Sequence, residues 1–360
     1  MKKLSLLVFS MVPAAIAVSC TPENASEKTP AGIDIEVGEN NTLFIMNQGA
    51  WPAGSSLDVK NLSTGAFKAD WFASANPGLE QGLGNTGNDM AVIGGKLWAL
   101  MNGSNLIAII DPSTGKLDRF LEVDSPRYII KKGNYAYVSS YGAAVNGSVY
   151  GVNGKVYRID PSTYKMDQLE VGFQPEGLTV LGDKLYVANS GGYQAEKEHT
   201  ISVIDLATFK ASGTIDLPVE NLFRLFSADG KLWVTTYDCY DLNWTITAPA
   251  SLGSVTPDGA YKKVEGIKAD NATLCGHFLY VFGNGVLNKV STVDASIAPI
   301  NLTGANVTYP YGLCVHPVSG DIFVADANFV GDSSVHCFAS DGSFKWTQPT
   351  GVGTGPMLVY

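Results

Sequence analysis

The sequence has little charge, almost no helical periodicity and few of the side chains that usually carry catalysis. Only 16% of its 360 residues are charged, and it holds 4 histidines and 5 cysteines. It lacks the G-x-S-x-G turn of serine hydrolases, and its cysteine spacings match no zinc pattern. The net charge of −10 argues against nucleic acid or anionic lipid as a partner. These absences disfavour nucleophilic enzymes, zinc modules and nucleic-acid-binding proteins.

The start of the chain has the features of a bacterial lipoprotein signal. Two lysines precede an apolar run at 4–18, and small residues stand directly before Cys20. The run is too short to span a membrane, and a cysteine in this setting resembles a lipobox. We expect 1–19 to be a cleaved signal peptide, Cys20 to be lipidated and 20–38 to be a flexible tether. An ordinary secretory signal with an incidental cysteine is the alternative. One disulfide among the other four cysteines is compatible with export.

The remainder, residues 39–360, repeats a four-strand pattern. Short runs of Val, Ile, Tyr, Phe and Trp alternate with Gly, Asn, Asp and Pro, which is typical of all-β proteins. The second strand of each unit contains an aromatic anchor, and the anchors are Phe44, Trp98, Tyr137, Tyr186, Trp233, Tyr280 and Phe323. They are 54, 39, 49, 47, 47 and 43 residues apart. Seven units of this length predict an all-β fold, a seven-bladed β-propeller.

The two ends of the repeat region predict how the ring closes. The first unit begins at Leu43 and lacks an inner strand, whereas residues 355–360 resemble the start of a unit and go no further. An open ring would leave unpaired strand edges at both ends. We therefore expect the C-terminal strand to complete the N-terminal blade.

Long loops between the second and third strands are predicted to form a binding face. Loops of this length in a compact domain are usually functional. The aromatic residues expected around the mouth of this face are Trp51, Tyr141, Tyr193, Tyr240, Trp244 and Phe329. The inner-strand starts, on the same face, add a ring made of Asn88, Asp89, Arg127, Glu176, Arg224, Asn271 and Tyr311.

This set of side chains suits a bulky, partly apolar ligand that carries amide or hydroxyl groups. We expect Arg127 to be the most important polar contact, because a guanidinium can fork onto an anionic or carbonyl group. The alternative is that each aromatic ring packs only on its own loop and that the polar residues pair with one another along the axis.

Several segments resemble the YncE-like propellers and, more closely, the DUF5074 family of Bacteroidetes lipoproteins. The segments are NTGNDM from Asn85, SPRYI from Ser125, YVSSYG from Tyr137, QPEGL from Gln174, YVANSGG from Tyr186 and SVIDLATFK from Ser202. They cover the first four repeats, and the last three match only in pattern. That family is similar to the BtuG-type surface proteins, which capture vitamin B12 and related corrinoids above a TonB-dependent BtuB-type transporter.

The resemblance implies a surface-exposed outer-membrane lipoprotein that binds a corrinoid and passes it to such a transporter. The corrinoid would be a ligand rather than a cofactor, and the protein would touch the membrane only through its lipid anchor. We expect no resident metal and no catalytic residue, so that the protein is a binder and not an enzyme.

Two other functions stay open at this stage. A scaffold that binds glycan or protein would use the same aromatic rim. A lactonase-type hydrolase would hold a divalent cation through Asp89, Glu176 and Asn271 at the channel mouth.

Overall fold

The computed structural model describes residues 35–50 and 54–360, which form seven four-stranded antiparallel sheets arranged as a β-propeller. The predicted signal peptide, Cys20 and most of the tether lie outside these residues, and so does Trp51. Residues 35–360 group into one compact unit. No helix in the described part of the chain has the length and apolar character needed to cross a bilayer.

The blades follow one another along the chain. Blade 1 contains β1 (Thr42–Asn47), β2 (Ser56–Asn61) and β3 (Phe67–Lys68), followed by a short helix α1 (Trp71–Ala75). Blade 2 contains β4 (Gly87–Ile93), β5 (Lys96–Met101), β6 (Leu106–Ile110) and β7 (Leu117–Glu122), with a 3-10 turn at Asn102–Ser104. Blade 3 contains β8 (Pro126–Lys132), β9 (Tyr135–Ser140), β10 (Asn153–Ile159) and β11 (Met166–Phe173). Blade 4 contains β12 (Pro175–Leu181), β13 (Lys184–Asn189), β14 (Thr200–Asp205) and β15 (Lys210–Asp216).

The last three blades have the same order. Blade 5 contains β16 (Leu222–Ala228), β17 (Lys231–Thr236), β20 (Leu252–Val255) and β21 (Tyr261–Lys263), with a hairpin of β18 (Cys239–Tyr240) and β19 (Ile246–Ala248) inserted between β17 and β20. Blade 6 contains β22 (Asn271–Cys275), β23 (Phe278–Gly283), β24 (Val286–Ser291) and β25 (Ile297–Ile300). Blade 7 contains β26 (Pro310–Val315), β27 (Ile322–Asp326), β28 (Asp332–Phe338) and β29 (Phe344–Val352). The final strand is β30 (Thr354–Val359).

The aromatic anchors are buried in the second strand of every blade, as predicted. None of the seven is more than 5% exposed. Second strands are covered on both faces because each sheet packs against two neighbouring sheets; Trp98, for example, lies in one apolar cluster with Ile129 and Val138 of blade 3. Removing these large side chains from water is the main favourable contribution to the packing of the blades.

The C-terminal strand closes the ring, which confirms the predicted arrangement. β30 is the inner strand of blade 1 and pairs antiparallel with β1, with Leu43 opposite Val359 and Ile45 opposite Met357. The Tyr360 carbonyl oxygen accepts hydrogen bonds from the Thr42 and Asn41 amides at 2.8 and 3.1 Å. The first blade is therefore built from both ends of the described chain.

The connections between second and third strands differ greatly in length. Those of blades 3, 4 and 5 span 141–152, 190–199 and 237–251, whereas those of blades 2 and 6 span only 102–105 and 284–285. The blade 7 connection, 327–331, is shorter than the sequence led us to expect. The long loops therefore crowd one sector of the ring. The four cysteines of the described chain are free thiols, so no disulfide joins the blades there.

Candidate functional site

Two adjoining cavities open on the loop face. The first, which we call the channel cavity, has a volume of about 710 Å³ and lies among the starts of the inner strands. The second, the rim cavity, has a volume of about 760 Å³ and lies under the loops of blades 3 to 5. Both volumes fall in the range of ordinary small-molecule sites. The cavities share a wall formed by Arg127, Tyr237, Asp238 and Asp270.

Most of the residues predicted for the site border these cavities. Those that line the channel cavity are Asn88, Asp89, Arg127, Arg224, Asn271 and Tyr311. Those that line the rim cavity are Arg127, Tyr141, Glu176, Tyr193, Tyr240 and Trp244. Phe329 lines neither cavity; its ring packs edge-on against Tyr311, with 5.2 Å between centroids.

A backbone irregularity at the start of three inner strands turns these side chains toward the axis. In β8, β12 and β16 the pairing with the second strand is interrupted after the first residue and resumes three residues later. The interrupted residues are 127–128, 176–177 and 223–224. A bulge of this kind redirects side chains and frees them from the regular alternation of a strand. Adjacent residues of one strand can therefore both contribute to the channel.

Arg127 forms a buried ion pair with Glu176 of the next blade. Its Nη2 and Nε atoms donate to the Glu176 carboxylate at 2.9 and 3.1 Å, and the Tyr141 hydroxyl donates to the same carboxylate. The Arg127 guanidinium lies 4.6 Å from the Tyr141 ring centroid. Burial raises the pKa of Glu176, and the charge of Arg127 opposes this rise.

This pairing changes the roles predicted for three residues. Arg127 was expected to fork onto a ligand, but it forks onto Glu176 instead. Glu176 is only 1% exposed and Tyr141 only 8%, so neither is a free group at the surface of the site. The desolvation cost of an isolated buried charge explains the outcome, because each ionic group gains a partner within its own chain.

Asn88 and Asn271 join neighbouring blades. The Asn88 side-chain amide donates to the Arg127 carbonyl oxygen at 2.6 Å, and that of Asn271 donates to the Tyr311 carbonyl oxygen at 2.6 Å. The same kind of hydrogen bond therefore connects the inner strands of neighbouring blades at two places in the ring. Both residues border the channel cavity, but their amide nitrogens are already engaged.

The three residues considered for a cation do not converge. Glu176 lines the rim cavity, whereas Asp89 and Asn271 line the channel cavity. The Asp89 carboxylate accepts a hydrogen bond from the Ile129 amide at 3.0 Å. Within residues 35–50 and 54–360, no group of three or more His, Cys, Asp and Glu side chains is arranged to hold a metal ion.

The sequence pattern did not single out Phe223, Tyr237, Asp238 and Lys268, which lie at or beside the wall between the two cavities. Phe223 and Tyr237 stack with 4.0 Å between ring centroids, and burial raises the pKa of Tyr237 well above its usual value. Beside them, the Lys268 ammonium lies 3.1 Å from Asp238 and 2.7 Å from Asp270. Each of these residues lies next to the end of a predicted strand. That position was the sequence feature that could have indicated a place in the site.

The aromatic residues of the outer rim remain accessible. Tyr193 is 64% exposed, Tyr240 47% and Trp244 83%. Tyr240 and Trp244 lie together on the inserted hairpin, with 6.1 Å between ring centroids. An exposed pair of rings beside a cavity is a surface that can cover a flat or partly apolar ligand.

Comparisons with known proteins support the fold. No family model matches the chain, and no curated protein matches it in sequence. Apo AztD from Citrobacter koseri aligns with a TM-score of 0.55 at 13% identity, covering 88% of this chain and 96% of AztD. A candidate 6-phosphogluconolactonase from Bacteroides fragilis aligns with a TM-score of 0.57 at 12% identity, covering 88% and 97% of the two chains.

Hydrazine synthase from Kuenenia stuttgartiensis also aligns, with a TM-score of 0.57 at 14% identity and coverage of 74% of this chain and 87% of the synthase chain. The two of these proteins whose names state an activity, the lactonase and the hydrazine synthase, catalyse unrelated reactions. At these identities the similarity shows the fold alone, because one propeller scaffold hosts many activities.

Proposed function

We propose that this protein is a ligand-capture propeller that binds a bulky, partly apolar molecule on its loop face and does no chemistry on it. The observation that carries the proposal is the pair of adjoining cavities, about 710 and 760 Å³, bordered by accessible aromatic rings. Because the two cavities are adjacent on one face, one large ligand can extend over both. The polar groups around them offer hydrogen bonds to amides and hydroxyls.

The charged groups of the site support binding rather than catalysis. Glu176 is paired with Arg127, and Lys268 lies between Asp238 and Asp270. A general acid or base must reach the atom of the substrate that gains or loses the proton. The charged groups of these ion pairs point at each other instead. The ion pairs instead hold the cavity walls in one shape, which lowers the entropic cost of binding.

The ligand class that we propose is a corrinoid. A corrinoid has a broad ring with apolar faces, an edge rich in amides and, in cobalamin, a phosphate-containing tail. The rings of Tyr193, Tyr240 and Trp244 would cover the apolar face, while polar side chains and backbone groups would bind the amides. The first four repeats resemble the DUF5074 lipoproteins, and the similarity of that family to the corrinoid-capturing surface proteins supports the same choice.

The same resemblance supports a proposal about the cellular context of the protein. We propose that it is anchored in the outer membrane through Cys20, faces the cell exterior and delivers its ligand to a TonB-dependent BtuB-type transporter. A net charge of −10 keeps the propeller soluble above the membrane.

Calorimetric titration of the chain from residue 21 with cyanocobalamin and with cobinamide tests the proposal. We expect one-to-one binding of at least one corrinoid, accompanied by a change in its visible absorbance. If neither compound gives heat or an absorbance change, the corrinoid assignment is wrong. Glycans are then the next ligands to titrate against the same aromatic rim.

A further inference from the structure

The arginines of this chain are few, and all but one are neutralised by a carboxylate. The sequence contains four: Arg119, Arg127, Arg158 and Arg224. The first three lie 3.5, 2.9 and 2.6 Å from Asp118, Glu176 and Asp167 respectively. Among the described residues, no carboxylate oxygen lies within 4.0 Å of the Arg224 guanidinium.

Arg224 is nevertheless held in a defined place. It lies in the bulge at the start of β16, where its backbone amide donates to the Thr235 hydroxyl at 3.0 Å. Its guanidinium lies 4.5 Å from the ring centroid of Tyr128, in a cation–π contact. This contact holds the head group against the Tyr128 ring, and the Arg224 side chain lines the channel cavity.

The other cations of the channel cavity are already paired. Arg127 binds Glu176, and Lys268 binds Asp238 and Asp270. The acidic group that faces Arg224 from blade 2 is Asp89, whose carboxylate accepts the Ile129 amide. Burial raises the pKa of Asp89, and the charge of Arg224 opposes this rise. Arg224 is thus the cation of this cavity that is best able to accept a new anionic partner.

Blades 6, 7 and 1 contribute both small and large residues to the wall of the channel cavity. Ala272, Gly312, Gly355 and Pro356 are compact, whereas Phe282, Tyr309, Tyr311 and Met357 are larger. The inner strands of blades 7 and 1 are so close that a Cβ added at Gly312 would lie 1.9 Å from the Gly355 carbonyl oxygen. The cavity volume of about 710 Å³ is large enough to admit a carboxylate or a phosphate group.

We propose that Arg224 binds an oxyanion of the ligand, a carboxylate or a phosphate ester, inside the channel cavity. The inference rests on the proposed capture of a ligand on this face and names the chemistry of the group that enters the channel. Both oxyanions match the guanidinium fork with two parallel hydrogen bonds. For a corrinoid ligand the group would be the tail phosphate, which cobalamin has and cobinamide lacks.

The first test follows the four arginine Nε–H signals by ¹⁵N NMR in the wild-type chain from residue 21. Phenyl phosphate and benzoate represent the two oxyanions, and benzamide is their neutral counterpart. We expect the Arg224 signal alone to shift with one or both oxyanions and to stay in place with benzamide. A silent Arg224, an equal shift of all four signals or an equal response to benzamide would each overturn the inference.

The second test uses substitutions. We expect Arg224→Gln to weaken phenyl phosphate or benzoate binding at least tenfold, Arg224→Lys to recover part of the loss, and the control Arg119→Gln, at an exposed position of β7, to bind like wild type. With cyanocobalamin, Arg224→Gln should reduce affinity to that for cobinamide. Unchanged binding by Arg224→Gln contradicts the inference.

The outcomes separate this inference from the proposed function. Corrinoid binding together with a silent Arg224 would leave the capture role standing and refute the oxyanion subsite. A selective Arg224 response to phenyl phosphate or benzoate without any corrinoid binding would establish the subsite and refute the corrinoid assignment.

Discussion

The ion pair between Arg127 and Glu176 stabilises the ring only while both partners are present. Glu176 is only 1% exposed, so solvent does not replace its carboxylate as the counter-charge of Arg127. We expect Glu176→Gln to lower the free energy of unfolding by about 3 to 5 kcal/mol, because it leaves a buried guanidinium without its counter-charge. Urea denaturation measures this loss.

A double variant serves as the control for this pair. Arg127→Met combined with Glu176→Leu removes both charges and keeps similar volumes, so it should recover most of the stability. If the double variant is as unstable as Glu176→Gln, the cost lies in packing or in the Tyr141 contact rather than in the unpaired charge.

Trp244 is the residue whose loss should affect binding without affecting folding. Its side chain is 83% exposed on the rim cavity, so it contributes little to the folded state in the absence of ligand. We expect Trp244→Ala to weaken ligand binding about tenfold, or about 1.4 kcal/mol, and to leave the melting temperature unchanged. Tyr135→Ala removes an exposed ring that lines neither cavity and should bind normally. Equal affinities of the two variants would exclude an aromatic rim.

At the level of single residues, the sequence predicted which side chains meet but not which are already paired. Arg127 and Arg224 both start inner strands, and nothing in their local sequence separates them. The difference arises from the neighbouring blade, which places Glu176 beside Arg127 and leaves Arg224 against the Tyr128 ring. Such pairing between segments about fifty residues apart depends on tertiary geometry and is invisible to local patterns.

Two of the turns between third and fourth strands contain an aspartate whose side chain accepts a backbone amide of the same turn. Asp205 accepts the Thr208 amide at 2.9 Å, and Asp294 accepts the Ser296 amide at 3.0 Å. These backbone hydrogen bonds favour the ionised form and lower the pKa of each carboxyl to about 2. Since the folded pKa lies below the unfolded one, the stabilisation is present above about pH 4 and is lost as the pH falls through about 2.

The double variant Asp205→Asn/Asp294→Asn tests this acid sensitivity. We expect its melting temperature to fall less than that of wild type between about pH 5 and about pH 2. Asp183→Asn is the control, because that exposed carboxylate accepts no hydrogen bond within the described residues. Parallel melting curves for the double variant and wild type over this range would refute the role of the turns.

At the level of elements, regular strands were predictable and the inserted hairpin was not. Each second strand has an aromatic anchor followed by apolar residues. A strand in a sheet that packs between two other sheets is buried on both faces, so it requires such a pattern. The hairpin β18–β19 contains exposed apolar residues such as Leu242 and Ile246, which local patterns cannot distinguish from an irregular loop. Its pairing is short and separate from the sheet of blade 5.

The ring as a whole depends on its last strand. Deleting residues 355–360 removes most of β30, the inner strand of blade 1, and exposes the apolar strand β1, whose residues are fully buried. We expect the truncated protein to lose its cooperative thermal transition or to melt far below the full chain. Differential scanning calorimetry measures both.

A circular permutant is the matched control for this deletion. Joining residue 360 to residue 38 through a short glycine linker, with new termini in the turn at 182–183, keeps every strand. Tyr360 already bonds to Asn41, so the linker spans a short gap. The permutant should melt close to wild type. Wild-type melting of the truncated chain would refute closure by β30.

At the level of the whole molecule, the fold was more predictable than the site. The four-strand pattern recurs seven times at intervals of about fifty residues, so each repeat is separate evidence for the propeller. The missing inner strand of the first repeat predicts that the C-terminal strand closes the ring. The site is formed once, by the few positions where blades differ, such as Arg224 and the two glycines, Gly312 and Gly355, that also line the channel cavity. The repeat pattern does not predict the side chains at positions that differ between blades, and these positions determine the function.

Closure by β30 also sets an order of events during biosynthesis. The chain emerges N-terminus first, so β1 cannot pair with its inner neighbour until β30 has left the ribosome. Until then one face and one edge of an apolar strand stay open to pairing with other chains. Pairing between segments so far apart in the sequence slows folding. A ribosome that stalls near the 3′ end of the message therefore yields a ring that cannot close.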